Sequence, residues 1–436
     1  MHDLDTDVVV IGAGFAGVTA ARELTQRGVE VIVVEARDRL GGRTWTKESE
    51  LGHYLELGGT WVHWTQPHVW AEIDRYGLDI YASAVPQRAL WKKNGELIEG
   101  SPEEMFGLLD DGMTRLLARS AELFPNPFRF RPVTDELKSL DHVTIDEAIA
   151  ALDLNPEQRD LVEGMWSLNF SGYPKNGALT QALRWCALTG GNWNLMFEAC
   201  GTYKIVGGTK VLLDAIAGQS TADFRFDTRV QRVTQDADGA TVVLTDGSTI
   251  RAREVIVTVP LNVLDDIEFE PALPSDLVSV SREGQTSQGI KVWARVKGEV
   301  APVCAIGSSD SVLNFFLPEM TVDGDTLVVA FGPDASRLDI TDRNAVQEAL
   351  REWLPDVEVL AVDGHDWIAD DLARQTWSML RPNQLQTIQD AAAGPHGHVR
   401  LAGGDYAEGW AGFIDGAIES GKIAAVRVYE TVRSSS

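Results

Sequence analysis

The stretch "VVVIGAGFAGVTAA" (8–21) places glycines at 12, 14 and 17 directly after four β-branched residues. Residues 7–11 read as a buried parallel strand, and Val18, Ala21 and Leu24 give the next segment a helical apolar stripe. In that setting Gly12 permits the turn and Gly14 lets the backbone approach a pyrophosphate. Gly17 allows helix and strand to pack closely, with the helix N-terminus facing the anion. A second strand starting at Glu30 ends at Glu35, 21 residues beyond Gly14, where a carboxylate can accept hydrogen bonds from a ribose. The combination predicts a dinucleotide site, although glycines alone would equally mark a structural turn.

The motif does not choose between a nicotinamide and a flavin dinucleotide; the residues after Glu35 do. "ARDRLGGRTW" adds two glycines and Arg43 beyond what a nicotinamide cofactor needs. With Glu35 it resembles the E-A-R-x-R-x-G-G-R block of the flavin-containing amine oxidase (monoamine oxidase) family, and "LELGGTWVHW" (55–64) is similar to the family's next block. The resemblance implies FAD as a resident cofactor, with Arg37, Gly42 and Arg43 running along the pyrophosphate toward the flavin. Gly58, Gly59 and Thr60 would pass close to the isoalloxazine ring, and Val230 would touch the adenine end unless it is an ordinary strand residue. Gly404 and Asp405 would lie beside the pyrophosphate and ribityl chain. A helix beginning near Ala411, with Phe413, would aim its positive end at the flavin.

The same resemblance implies hydride transfer from the carbon next to an amine nitrogen to flavin N5, giving an iminium. Such a reaction needs a dry pocket that keeps the amine neutral, so the site should be rich in aromatics and poor in carboxylates. Lys291, opening "KVWARVK", matches the family lysine that holds a water near N5; a strand-end lysine reaching solvent is the alternative. Trp377 and Phe413 match the two walls of an aromatic cage that sandwiches the substrate amine, with Trp410 next to it. Thr376 stands where monoamine oxidases carry a flavin-linking cysteine, which implies noncovalent FAD. "GGTWVHWTQPHVWAEIDRYGL" (58–78) and "PDVEVLAVDGHDWIAD" (355–370) resemble the family's bacterial nicotine-catabolism members. Asn169 would then contact a pyridine ring, unless it is a capping or core amide, and a partner tyrosine would be replaced near Phe316.

These residues need elements that bring them together. The implied fold class is α/β, a Rossmann-type FAD-binding domain of the flavin-disulfide-reductase kind interleaved with an α+β substrate-binding domain. The FAD-binding domain is assigned 1–80, 203–265 and 395–436, and the substrate-binding domain 81–202 and 266–394. Residues 228–260 read as three meander strands and then a buried parallel strand. Ser101 reads as the N-cap of a helical run over 101–124.

Bulk properties narrow the function further. At 436 residues the chain is long enough for two domains, and its net charge of −27 disfavours nucleic acid and anionic membranes as partners. Cys186, Cys200 and Cys304 show no metal-ligand spacing, so no metal is expected and the thiols suit a reducing compartment. "MHDLDTD" lacks signal-peptide order and no 18-residue apolar run exists, which predicts a cytoplasmic protein without a membrane span. The expected partners are a small amine and either oxygen or an electron-carrier protein, with the oligomeric state open, a homodimer included. General monoamine oxidation, an L-amino-acid oxidase and a non-catalytic flavin protein are the competing functions. The amino-acid oxidase would need an arginine fork, for which Arg88 is a candidate.

Overall fold

The computed structural model describes residues 5–129 and 131–434, so the first four residues of "MHDLDTD" lie outside the described part. At its centre the strand Thr6–Ile11 pairs in parallel with Val31–Val34 on one side and Thr249–Val257 on the other. Asp223–Arg225 extends the sheet beyond Val31–Val34, and Val399–Leu401 pairs in parallel with Thr249–Val257. Val8, Val9, Val10 and Val33 are fully buried because both faces of these strands are covered, the reason they read as continuous apolar runs. Helices Phe15–Thr25 and Ile414–Ser434 pack against each other over the sheet.

The meander and the expected parallel strand after it differ from the sequence reading in one respect. Thr249–Val257 is a single strand. Its first half pairs antiparallel with Gly239–Leu244, and its second half runs parallel to Thr6–Ile11 from Ala252 onward. No turn residue interrupts "TIRAREVIV", and its burial changes from alternating to continuous at Glu254, where the second face becomes covered. Glu268–Glu270 also joins this sheet, in parallel with Val230–Asp236, although residues from 266 onward were assigned to the other unit.

A second sheet of seven strands runs in the order Val359–Gly364, Ile290–Val296, Asp325–Gly332, Phe315–Val322, Val303–Ile306, Arg88–Lys93 and Glu96–Gly100. Helices Pro102–Leu116, Pro156–Phe170, Leu179–Ala187 and Trp193–Gly201 accompany it. Ser101 forms the expected cap: its hydroxyl accepts from Glu104 N at 3.2 Å, while Glu104 accepts from Ser101 N at 2.8 Å. That helix ends at Leu116 and a separate turn covers Ser120–Leu123, shorter than the continuous run read from 101–124. Among the described residues no helix is long and apolar enough to cross a membrane.

Candidate functional site

One cavity of about 740 Å³ runs from the glycine turn to the seven-stranded sheet. Its first wall is the C-terminal edge of the parallel strands, at Ile11, Val34 and Thr258, where an α/β sheet opens a crevice for ligands. Gly12 adopts φ +102, and a Cβ on Gly17 would stand 1.9 Å from Gly12 O, so the turn and the helix crossing both require glycine. Gly14 is the N-cap of Phe15–Thr25, with no side-chain cap and no acid in the first turn. Gly14, Phe15 and Ala16 line the cavity, so the first-turn amides are available to an anion.

Glu35 is held by two backbone donors, Ala13 N at 2.7 Å and Arg37 N at 2.9 Å, which fixes its carboxylate at the cavity edge. The loop after it is pinned by Arg39, whose guanidinium donates to the carbonyls of Leu40, Gly42 and Thr44 at 3.0–3.1 Å. Arg37, Gly42, Arg43, Gly58, Gly59, Thr60, Val230, Gly404 and Phe413 all line the cavity. Val230 also belongs to the apolar core, the contact of an ordinary strand residue.

Three expected cofactor contacts stand behind the wall instead. Gly17 packs against the turn. Asp405 is 2% exposed and does not line the cavity; its carboxylate takes a bidentate pair from Arg43 at 2.9 and 3.2 Å. It also accepts from Gln285 at 2.7 Å, Gln375 at 2.9 Å and Leu261 N at 3.2 Å. Those donors satisfy the buried charge and hold Arg43 at the wall; Arg43 heads the charges that keep the Asp405 carboxyl below its ordinary value against the opposing burial. The last helix begins at Ile414 rather than near Ala411, because Gly412 at φ +87 breaks the helical path. Ala411 is buried, its carbonyl accepting from Trp185 Nε1 at 3.2 Å.

At the other end, Lys291 is 7% exposed, with Nζ donating to Gly58 O at 3.0 Å and Thr60 Oγ1 at 2.6 Å. Trp61, Trp293 and Phe331 surround Nζ, 5.1–5.9 Å from their ring centroids. It is not a strand-end lysine reaching solvent. Burial pushes its pKa down to about 7, with Glu56 and Glu319 pulling the other way. Thr376 lines the cavity in a hydroxyl chain with Ser287 at 2.7 Å and Ser171 at 3.1 Å.

Trp377 and Phe413 line the cavity, but not as two opposed walls. Their centroids are 5.2 Å apart at 71°, the edge-to-face geometry of rings in direct contact, which leaves no slot between them. Trp185 meets Trp377 at 5.3 Å and Phe413 at 5.1 Å, wedging the pair into a three-ring corner. Trp410 lies behind it, edge-on to Phe413 at 5.0 Å and tied to Thr65 O at 2.9 Å. Asn169 lines the cavity at 2% exposure, and its Nδ2 has no hydrogen-bond partner. Phe316 faces the core; the alternation of the strand sends Phe315 and Leu317 to the cavity instead. Cys200 and Cys304 also line it, as free thiols.

Sequence reasoning missed Trp185, Gln285, Gln375 and the buried charges Glu56, Lys204 and Glu319. Thirteen tryptophans give no means of selecting Trp185, and the glutamines are marked only by their contact with Asp405.

The profile of the flavin containing amine oxidoreductases matches residues 15–429. The chain belongs to that family. It is therefore an FAD-dependent oxidoreductase acting on amines. This amine oxidoreductase is 36% identical to pseudooxynicotine dehydrogenase of Pseudomonas sp, over 98% of this chain and 86% of the relative. It is 31% identical to (S)-6-hydroxynicotine oxidase of Paenarthrobacter nicotinovorans, over 96% and 98%. Cyclohexylamine oxidase from Brevibacterium oxydans superposes with a TM-score of 0.83 at 22% identity, covering 98% of this chain and all of that one, 100%. The expected FAD amine oxidase fold is thus present. The cradle fits the cofactor: an uncapped helix N-terminus suits a pyrophosphate, and an anchored Glu35 suits a ribose.

Proposed function

We propose that the chain oxidises a secondary or tertiary amine carrying an aromatic or pyridine group, of the nicotine, 6-hydroxynicotine or pseudooxynicotine kind. The product is an iminium, which water hydrolyses or which rearranges. Bound FAD supplies the two-electron acceptor for the hydride leaving the carbon next to nitrogen. What supports this most is the continuity of one cavity from the glycine turn past Arg43 to Lys291 and the three-ring corner. The names of the two bacterial relatives point to the same substrate class.

Each group then has a task. The helix amides at Gly14–Ala16 and Glu35 hold the dinucleotide, and Arg43, braced by Asp405, faces it. Trp377 and Phe413, backed by the buried Trp185, exclude water, which penalises an ammonium and favours the neutral amine that can release hydride. Asn169 is assigned to a ring nitrogen or a carbonyl on the substrate; its Nδ2, buried without a partner, meets either one through a turn of the side-chain amide. Thr60 Oγ1 donates to Gly58 O at 3.0 Å, so its oxygen accepts from Lys291. A neutral Lys291 has both N–H groups committed to Gly58 and Thr60, and its lone pair remains to accept a hydrogen bond or a proton.

Arg88 gives no support to the amino-acid oxidase alternative: it pairs with Glu99 at 2.9 Å and does not line the cavity. Reoxidation is assigned to either oxygen or an electron-carrier protein. In this reading the chain has an FAD-binding and a substrate-binding domain, with Glu268–Glu270 in the former. The test is anaerobic mixing with an amine panel. Bleaching by a nicotine-type amine supports the proposal, and bleaching by L-leucine alone overturns it.

A further inference from the structure

Between Pro318 and Met320 the pairing of Phe315–Val322 with Asp325–Gly332 slips by one residue, leaving Glu319 as the extra residue of a β-bulge. Bulges re-aim a side chain, and this one turns a carboxylate inward. The Glu319 side chain is 1% exposed and forms an ion pair with Lys204, itself 8% exposed; Glu319 Oε1 has no hydrogen-bond partner. Lys204 comes from Tyr203–Ile205, and its Nζ lies 5.0 Å from the ring centroid of Tyr81 on the paired strand. Glu56 is buried beside them, accepting from Thr46 Oγ1 at 2.7 Å and from Thr209 N and Oγ1 at 2.5 and 3.1 Å. Lys291 reaches the same place: its Nζ holds Gly58 O and Thr60 Oγ1, two and four residues beyond Glu56, and Val62 bridges Tyr203, the neighbour of Lys204. Two acids and two lysines are thus gathered around the segment 56–62, where buried charge is expensive unless opposed.

We propose that Glu56 and the bulge-borne pair Lys204–Glu319 are positioning residues that set the charge state in which Lys291 works. Glu56 and Glu319 favour the ammonium form of Lys291, Lys204 opposes it, and burial favours the neutral amine. The other acids on the flanking strands are engaged elsewhere: Asp325 by Arg295 at 2.9 Å, Asp363 by Ser49 at 2.6 Å and Lys47 at 3.3 Å. Lys204 and Glu319 act on Lys291 with opposite sign. The pair trims the balance rather than dominating it. The inference rests on the proposed function only in taking neutral Lys291 as the working form.

The test reads Lys291 directly. Protein loaded with FAD and carrying 13C at lysine Cε is titrated by NMR, the Lys291 resonance being assigned by its loss in Lys291→Met. The wild-type midpoint is expected at about 7. Glu319→Gln should lower it and Lys204→Met should raise it, each by roughly half a pH unit or more, as loss of a nearby charge does. The double variant, which removes both charges and leaves neither partner unpaired, should return close to wild type. Should Glu319→Gln fail to fold, Lys204→Met and the double variant carry the same comparison. A wild-type midpoint near 10.5, an unmoved midpoint in the single variants, or shifts of the same sign would overturn the proposal. A flavin that no amine reduces would instead overturn the amine-oxidising reading, leaving the titration result intact.

Discussion

Lys291→Met is expected to stabilise the protein at neutral pH while impairing it as an enzyme. The lysine's ordinary value is 10.5 and burial brings it down to about 7, so at pH 7 the fold holds about half of a proton that the unfolded chain binds in full. That gap corresponds to roughly 4 kcal/mol of stability lost by the wild type at pH 7. Methionine keeps the stem and its packing against Trp61 and Phe331 but loses the hydrogen bonds to Gly58 and Thr60, about 1 kcal/mol each. The net expectation is a gain of about 2 kcal/mol at pH 7. Between pH 7 and 10.5 the unfolded chain binds more protons at this site than the fold, so wild-type stability rises with pH and the advantage of methionine closes. It closes by about 1.4 kcal/mol per pH unit over most of that range, leaving the wild type level or ahead near pH 10. Urea unfolding of both proteins at fixed excess FAD, at pH 7, 8, 9 and 10, measures the difference. Parallel stabilities across that range would refute the buried, proton-poor lysine. In the same variant, flavin reduction or reoxidation should slow by about tenfold or more, as loss of one preorganised group does; unchanged kinetics would remove Lys291 from the site.

Three further outcomes follow from the cradle. Gly17→Ala puts a methyl 1.9 Å from Gly12 O, so the purified protein should lose most of its yellow colour and unfold at lower urea; full FAD content would contradict the close crossing. Asp405→Leu leaves Arg43 unbraced, and FAD affinity should fall by about tenfold or more, the effect of losing a buried charged hydrogen-bond partner; fluorescence titration with FAD reads it, and unchanged affinity would make the pair merely structural. Thr376 offers a hydroxyl where a thioether would need a thiol, so acid precipitation should release FAD into the supernatant; flavin in the pellet would contradict noncovalent binding.

The dinucleotide half of the site was legible because its determinants are local. Gly12, Gly17 and Glu35 act within one strand–turn–helix unit and the next strand, where spacing alone fixes geometry. The substrate end is built from contacts between residues hundreds of positions apart. Trp185 completes the aromatic corner from a helix with no motif, and turns an expected sandwich into three touching rings. Asp405 read as a cofactor neighbour, yet Gln285 and Gln375 claim it from distant loops and make it the brace of Arg43. Glu319 is turned inward by a one-residue slip in pairing; Pro318 in "FFLPEMTV" marks a place for a bulge, and only the pairing shows which side chain it re-aims. The carboxylates acting on Lys291 were hidden for the same reason: Glu56 and Glu319 stand outside the cavity lining and enter through pairing and packing rather than through a motif.

Anaerobic stopped-flow mixing shows whether the cavity joins a bound FAD to a neutral secondary or tertiary amine. The FAD-loaded protein is mixed with nicotine, 6-hydroxynicotine, pseudooxynicotine, N-methylaminobutyrate and simple aryl-alkylamines, and flavin absorbance is followed. Rapid bleaching by at least one of the first three and slower bleaching by primary aryl-alkylamines are expected. A flavin that stays oxidised with every amine would contradict the amine-oxidising reading.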